Sequence, residues 1–146
     1  MRLRRVFAIA ATGSMLVACQ AGPKSALGFR LPDGDAEAGQ AAFVALKCSS
    51  CHRVHGVAGL PEPVAGPPVP IALGGEDPYQ RTDGELVTAI IDPSHRLATS
   101  HPDARSGEGS RSRMGDFSEA MTVRQLIDVV AFLHAHYEFV PPQPVK

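Results

Sequence analysis

Apolar residues recur at helical spacing in three stretches of the chain, and long runs without periodicity separate these stretches. The first stretch, 36–47, is rich in alanine and has Phe43 as its one large aromatic residue. The second, 85–91, and the third, 122–136, each place apolar side chains on one face of a helix. The pattern therefore predicts three helices, with apolar faces formed by Leu86, Ala89, Ile90 and Ile91 in the second and by Leu126, Val129, Val130, Leu133 and Tyr137 in the third.

Each predicted helix begins with a capping signal. Asp35 suits the N-cap of the first helix. The segments 82–85 and 122–125 both have the spacing of a capping box, in which a Thr and a Glu or Gln satisfy each other's backbone N–H groups. Gly39 lies inside the first helix, where glycine costs about 1 kcal/mol relative to alanine. Such a glycine predicts the close approach of another backbone.

Two stretches predict irregular structure. Gly56 to Gly75 is dominated by proline and glycine, which excludes a helix and a central strand. The simpler interpretation is a stiff surface loop; the functional alternative is that one of its backbone carbonyls accepts a hydrogen bond from the Nδ1 of His52. Residues 94–113 are polar and glycine-containing, which predicts an irregular segment with a mobile tip at 106–110.

The first 34 residues have the pattern of an export signal followed by a tether. Three arginines precede an apolar stretch, 6–17, that is too short to span a membrane. Residues 16–19 resemble a bacterial lipobox, whose Cys19 would be diacylated; the alternative is an ordinary signal peptide with Cys19 as a free thiol. Residues 20–34 predict a flexible tether with a span of roughly 20 Å. The predicted organisation is a signal peptide over 1–18, a lipidated Cys and tether over 19–34, one domain over 35–139 and a C-terminal tail over 140–146.

Cys48-Ser49-Ser50-Cys51-His52 is the motif that carries the most specific chemistry. It reads C-x-x-C-H, the attachment signature of a c-type haem, in which two thiols add to the haem vinyl groups and the His becomes an axial iron ligand. A zinc site would need about four ligands, and no second Cys pair is present. A thiol redox site expects a strand before the motif, whereas a helical pattern precedes this one. With Cys19 assigned to the lipid, haem accounts for both remaining thiols.

A sixth iron ligand has several candidates in the sequence. Met121 is better explained as a hydrophobic staple that packs on Leu126, and the two His residues at 134 and 136 suit the negative end of the last helix. His55 follows His52 too closely to reach across a haem. Met114, in a polar and glycine-containing context, is therefore the preferred ligand, and the alternatives are His95, His101 or an open site.

Charge and composition exclude one class of partner. The full chain has a formal charge of −1, and loss of the three signal-peptide arginines makes the mature chain four units negative. The chain has no Trp and only 5% aromatic residues. A negative chain with few aromatic residues does not suit nucleic acid. A local basic cluster at Arg96, Arg105, Arg111 and Arg113 is interpreted as a solvated loop, with a docking patch near the haem as the alternative.

Taken together, these residues resemble the class I (monohaem) cytochrome c family, as a lipoprotein-anchored bacterial member. The resemblance covers about residues 34–138, and its ordered motifs are 34–43, 48–52, 66–69, 91–94, 114–117 and 129–133. It implies an all-α, cytochrome c-like fold of three to four helices around one covalently bound haem, with the first and last helices crossing near Gly39 and Phe132. It also implies His52 and Met114 as axial ligands and the carbonyl of Pro67 as the partner of His52. The sequence departs from the family at Val69, where Leu is usual, and at Gly115, where Pro is common.

The expected function is that of an electron carrier rather than an enzyme. One His/Met-ligated haem c would pass single electrons between a dehydrogenase or cytochrome complex and a terminal oxidase or reductase. A dedicated cytochrome subunit of one dehydrogenase fits the sequence equally well. The expected location is the periplasmic side of a bacterial membrane, with Gln20 after the lipidated Cys favouring the outer membrane. The alternative function is a haem-based gas sensor or ligand-binding protein with an open or labile sixth site.

Overall fold

A computed structural model of the chain describes residues 29–61, 70–96 and 111–142. Within these ranges three helices, a short 3₁₀ turn and four three-residue strands follow one another. We number them α1 (Ala36–Ala45), β1 (His52–Val54), β2 (Ile71–Leu73), β3 (Gly75–Asp77), α2 (Asp83–Ile91), α3 (Val123–His134) and β4 (Tyr137–Phe139), with the 3₁₀ turn at Cys48–Ser50.

The predicted helices and their caps are confirmed. The Asp35 carboxylate accepts the N–H groups of Glu37, at 2.9 Å, and Ala38, at 3.1 Å. Both capping boxes form, with the Thr side chain bonded to the third backbone N–H and the Glu or Gln side chain bonded back. The second helix begins at Asp83, two residues before the predicted start, and α3 ends at His134, two residues before the predicted end.

Helices α1 and α3 cross at Gly39, as the glycine predicts. A Cβ atom at position 39 would lie 1.9 Å from the Asp128 carbonyl oxygen and 2.8 Å from Cβ of Phe132. The two backbones therefore touch at a point where no side chain larger than hydrogen fits. Beside the crossing, the Phe43 and Phe132 rings pack with centroids 5.5 Å apart, and Phe132 is only 1% exposed. This contact is the centre of the hydrophobic core.

The prediction of an all-α fold holds for the three helices, to which the structure adds four short strands. β1 pairs in parallel with β2, and β3 pairs in parallel with β4. β2 lies near the end of the proline-rich segment 56–75; the sequence excluded a central strand there, and in its two-stranded sheet β2 is an edge strand. Three-residue strands are too short to show an alternating pattern, and their partners are distant in sequence. Pro70 immediately precedes β2, so each residue of the strand itself keeps its backbone N–H donor.

The packed part of the chain extends beyond both predicted boundaries. Leu31 packs against the core, and its N–H donates to Asp83 Oδ2 at 2.8 Å. Gly34 approaches α3 so closely that a Cβ there would lie 2.7 Å from the Ile127 carbonyl oxygen. At the other end, the N–H of Val140 donates to the Asp77 carbonyl at 3.0 Å. Residues 31–34, predicted as tether, are thus docked on the domain; the signal, Cys19 and the tether up to residue 28 lie outside the described residues.

None of the helices among the described residues is long and apolar enough to cross a membrane.

Candidate functional site

The C-x-x-C-H segment is placed by an abrupt turn at the end of α1. Lys47 takes a left-handed conformation, with φ of 59°, and redirects the chain into the 3₁₀ turn that holds Cys48. The turn is closed by hydrogen bonds from the Ser50 N–H to the Lys47 carbonyl, at 3.0 Å, and from the Cys51 N–H to the Cys48 carbonyl, at 3.2 Å. The two cysteines therefore sit on one rigid turn, with His52 directly after it.

Strand β1 fixes the backbone of His52. His52 is opposite Ile71 in the parallel pair, and the Ile71 N–H donates to the Cys51 carbonyl at 2.9 Å. At the other end of the same strand pair, the N–H of His55, directly after β1, donates to the Leu73 carbonyl at 2.8 Å. The strand pairing that the sequence did not reveal is thus what holds the predicted iron ligand in position. The imidazole Nδ1 of His52 is buried.

An apolar cleft opens beside this segment. Helices α1, α2 and α3, the motif, β2 and the segment 114–121 all contribute to its walls. The lining residues are Phe43, Cys48, His52, Leu73, Ile90, Met114, Phe117, Met121, Val129 and Leu133.

The two predicted axial ligands, His52 and Met114, both line this cleft. Burial raises the pKa of the Cys48 thiol to about 11, with a smaller contribution in the same direction from the nearby Cys51. Cys48 is therefore a protonated, apolar group in the cleft wall at neutral pH. The Cys51 Sγ lies 3.8 Å from the Ser50 hydroxyl oxygen. The cleft thus presents an imidazole, a thioether and a thiol among aliphatic and aromatic side chains.

Met114 lines the cleft, whereas several of the other candidate ligands lie elsewhere or contact other groups. His95 is exposed and is not among the residues that line the cleft. His134 Nε2 lies 3.0 Å from Asp83 Oδ1, and His136 Nδ1 lies 2.7 Å from the Phe132 carbonyl oxygen. Met121 lines the cleft together with Met114, so its predicted role as a staple does not remove it from the site.

Several predicted residues lie outside the described part of the chain: Cys19, Pro67, His101 and Arg105. Of the rest of the basic cluster, Arg96 lies 3.4 Å from Glu85 in an exposed ion pair, and Arg111 and Arg113 are exposed. Such exposed pairs contribute little to stability. The described residues contain no group of three or more His, Cys, Asp or Glu side chains that could hold a metal ion.

Sequence reasoning missed two carboxylates that hold the scaffold together, the partly buried Asp83 and the buried Asp77. Asp83 accepts the Leu31 N–H with one oxygen and lies 3.0 Å from His134 with the other, so it joins the N-terminal segment, α2 and α3. Asp77 accepts two hydrogen bonds from the Arg81 guanidinium, at 2.8 Å and 2.6 Å. The Asp83 contacts link distant elements and have no local signal in the sequence, whereas the Asp77–Arg81 pair is local, at i and i+4.

An apolar cleft that presents an imidazole and a thioether, beside a paired-cysteine turn, defines the class of c-type haem proteins. The family model for Cytochrome c matches residues 36–136, and the chain belongs to this family. Searches of the curated proteins and of the solved structures gave no significant match.

The residues of the cleft fit the cofactor of this family. Haem c is held covalently through Cys48 and Cys51, which have the family's spacing. Its flat, apolar body suits the aliphatic and aromatic walls of the cleft, which also present an imidazole and a thioether, two kinds of side chain that can bind haem iron. Bound haem supplies an iron that gains and loses one electron. Haem-based electron transfer is accordingly the activity that the family indicates for this protein.

Proposed function

We propose that the protein is a membrane-tethered electron carrier of the periplasm, with His52 and Met114 as the axial ligands of one haem c. The observation that carries this proposal is the presence of both side chains on the walls of the same apolar cleft. A six-coordinate iron with a Met ligand changes little in geometry on reduction, and the thioether favours the reduced state. Both properties suit a carrier of single electrons.

The chain's own residues would perform the supporting tasks. The aliphatic and aromatic walls exclude water from the metal, which keeps reorganisation on electron transfer small. Strand β1 fixes the backbone of His52, and burial keeps its ring in place. For the ring N–H we propose the carbonyl of Pro67 as acceptor, which would fix the imidazole orientation.

The absorption spectrum of the purified holoprotein, oxidised and reduced, with and without carbon monoxide, tests the ligation. The wild type should show a low-spin haem c with a thioether–iron band and no prompt reaction with the gas. Met114→Ala should lose this band and bind carbon monoxide at once. Met121→Leu is the matched control, since Met121 lines the same cleft, and it should keep the wild-type spectrum.

The opposite results have definite meanings. Prompt carbon monoxide binding by the wild type would refute the carrier proposal and favour a gas sensor or ligand-binding protein. Loss of the thioether band in Met121→Leu but not in Met114→Ala would move the ligand to Met121. An unchanged band in both variants would refute methionine ligation by either residue.

We further propose that the domain is anchored by a lipid on Cys19, on the periplasmic side of a bacterial membrane. A dehydrogenase, a cytochrome complex or a terminal oxidase or reductase would be its redox partner. The test is fractionation of cells that express the full chain or Cys19→Ser, combined with mass analysis of the mature N-terminal peptide. Acylated Cys19 and a membrane-bound wild type would support the anchor, whereas a free N-terminus and a wild type in the periplasmic fraction would refute it.

A further inference from the structure

Two consecutive hydrogen bonds connect Met114 to the end of α2. The Ser94 hydroxyl oxygen accepts the N–H of Ser112 at 3.1 Å. The Ser112 hydroxyl oxygen in turn accepts the N–H of Met114, also at 3.1 Å. Both distances fall within the normal range for such bonds. Ser94 and Ser112 are far apart in the chain, so the first bond is a tertiary contact.

The anchoring end of this connection is rigid. The N–H of Asp92 donates to the Thr88 carbonyl at 2.8 Å, which closes the last turn of α2. The His95 N–H then donates to the Asp92 carbonyl at 2.9 Å, which closes a turn that has Pro93 at its second position. The proline presets its own φ angle, and Ser94 follows it in the same turn. Ser94 is therefore fixed relative to Ile90, the α2 residue that lines the cleft.

The other side of Met114 is held by a different device. The N–H groups of Ala120 and Met121 donate to the Phe117 carbonyl at 3.1 Å and 3.0 Å, which forms a compact turn before α3. Phe117 itself lines the cleft. Between Met114 and this turn lies Gly115, which is exposed, and a Cβ there would meet nothing within 4 Å. Met114 is thus held by hydrogen bonds on its N-terminal side, whereas Gly115, on its C-terminal side, offers no side-chain support.

We propose that Ser112, itself held by Ser94, is the positioning residue that keeps Met114 in reach of the haem iron. This inference rests on the proposed ligation by Met114. An external ligand binds the iron only in molecules whose Met114 has dissociated, so its apparent affinity rises as the dissociated fraction rises. Loss of one hydrogen bond to the Met114 backbone should raise that fraction roughly twofold to tenfold, the range that the net free energy of a typical hydrogen bond gives.

The experiment is a titration of the ferric holoprotein with imidazole, followed by the loss of the thioether–iron band. Ser112→Ala should bind imidazole roughly twofold to tenfold more tightly than the wild type, and Ser94→Ala should change in the same direction. Ser112→Thr retains a hydroxyl and should restore the wild-type affinity. Ser118→Ala is the matched control, because the Ser118 hydroxyl bonds to Asp116 in the same segment and does not contact the Met114 amide.

A second readout does not depend on the iron. Hydrogen exchange at the Met114 amide should accelerate in Ser112→Ala and remain at the wild-type rate in Ser118→Ala. An unchanged imidazole affinity in Ser112→Ala, with Met114→Ala losing the band, would overturn the positioning role while leaving Met114 as the ligand. A lower melting temperature with unchanged affinity would likewise overturn it and make Ser112 a purely structural residue. If the band survives in Met114→Ala, the proposed ligation itself fails.

Discussion

Replacement of Gly39 by alanine should destabilise the protein, although alanine is the better helix former. A Cβ at this position would lie 1.9 Å from the oxygen and 2.5 Å from the carbon of the Asp128 carbonyl. Both are backbone atoms of α3 and cannot rotate away, so the two helices must move apart by more than about 1 Å to reach normal contact distances. That movement also strains the hydrogen bond from the Asp35 N–H to Asp128 Oδ1, which measures 3.0 Å.

The magnitude follows from two opposing effects. Alanine in place of glycine inside a helix gains about 1 kcal/mol. Overpacking of a tight contact costs typically about 1–3 kcal/mol, and more where rigid backbone must move. Because the contact is backbone to backbone, we place the cost at the upper end, about 3 kcal/mol, so that after the gain of about 1 kcal/mol Gly39→Ala should lower the free energy of unfolding by about 2 kcal/mol. The aromatic pair beside the crossing, Phe43 and Phe132, should loosen as well.

Guanidinium unfolding of the holoprotein, followed by far-ultraviolet circular dichroism, measures this effect. Gly115→Ala is the matched control, since its Cβ would meet nothing within 4 Å, and it should change the free energy of unfolding by less than about 0.5 kcal/mol. Ala41→Gly, at an exposed position of α1, should cost only the helix propensity, about 1 kcal/mol. A Gly39→Ala protein as stable as the wild type, or more stable, would refute the close helix crossing.

Three further predictions concern the contacts that hold the scaffold. Asp83→Ala removes the acceptor of the Leu31 N–H and the partner of His134, so it should lower the free energy of unfolding, measured by thermal unfolding, by about 1–3 kcal/mol. It should also expose the N-terminal segment to proteolysis. Asp33 is exposed on that segment, and Asp33→Ala should change neither the stability nor the proteolysis. Lys47 has a left-handed conformation, which costs a non-glycine residue about 1–2 kcal/mol, and Lys47→Gly removes this cost. Glycine also gives the unfolded chain more entropy, which opposes the gain, so the free energy of unfolding should rise by only about 0.5–1 kcal/mol. A decrease would contradict the turn geometry. Burial opposes ionisation of Asp77, but the Tyr79 N–H and the Arg81 guanidinium outweigh it and lower the pKa of the carboxyl. The stability difference between wild type and Asp77→Asn should therefore be fully present above the carboxyl's usual pKa of about 3.9 and disappear as the pH falls through the lower pKa of the folded protein; a difference that persists unchanged to pH 2 would contradict this assignment.

Local patterns were sufficient to predict the helices and the point where they cross. A cap such as Asp35 acts on backbone groups two or three residues away, and the capping boxes at 82–85 and 122–125 are equally local. Gly39 could be assigned because a glycine in an otherwise good helix needs a reason, and contact with another backbone is the usual one. The C-x-x-C-H motif is likewise a local signal, and its chemistry is set by residue identity and spacing.

The contacts that could not be predicted all join segments that are distant in sequence. The pairing of His52 with Ile71 depends on where the proline-rich loop returns, and three residues carry no alternation that would reveal it. The Asp83 contacts with Leu31 and His134 depend on how α2 and the N-terminal segment pack on α3. Asp83 is also a normal first-turn residue of a helix, so its sequence context gave no sign of a second role. Lys47 carries no local signal either, because glycine is the usual residue in its conformation.

These long-range contacts explain how so small a domain can bring the two proposed iron ligands, which are distant in sequence, to the walls of one cleft. His52 is fixed by a strand pair that follows α1, whereas Met114 belongs to a segment between α2 and α3. The helix crossing at Gly39 sets the distance between α1 and α3, and Asp83 fixes α2 against α3 through His134. The cleft between these elements has aliphatic and aromatic walls that would face water if no apolar body filled it. Attachment of haem to Cys48 and Cys51 therefore serves the fold as well as the chemistry, because the same cofactor that carries the electron completes the core.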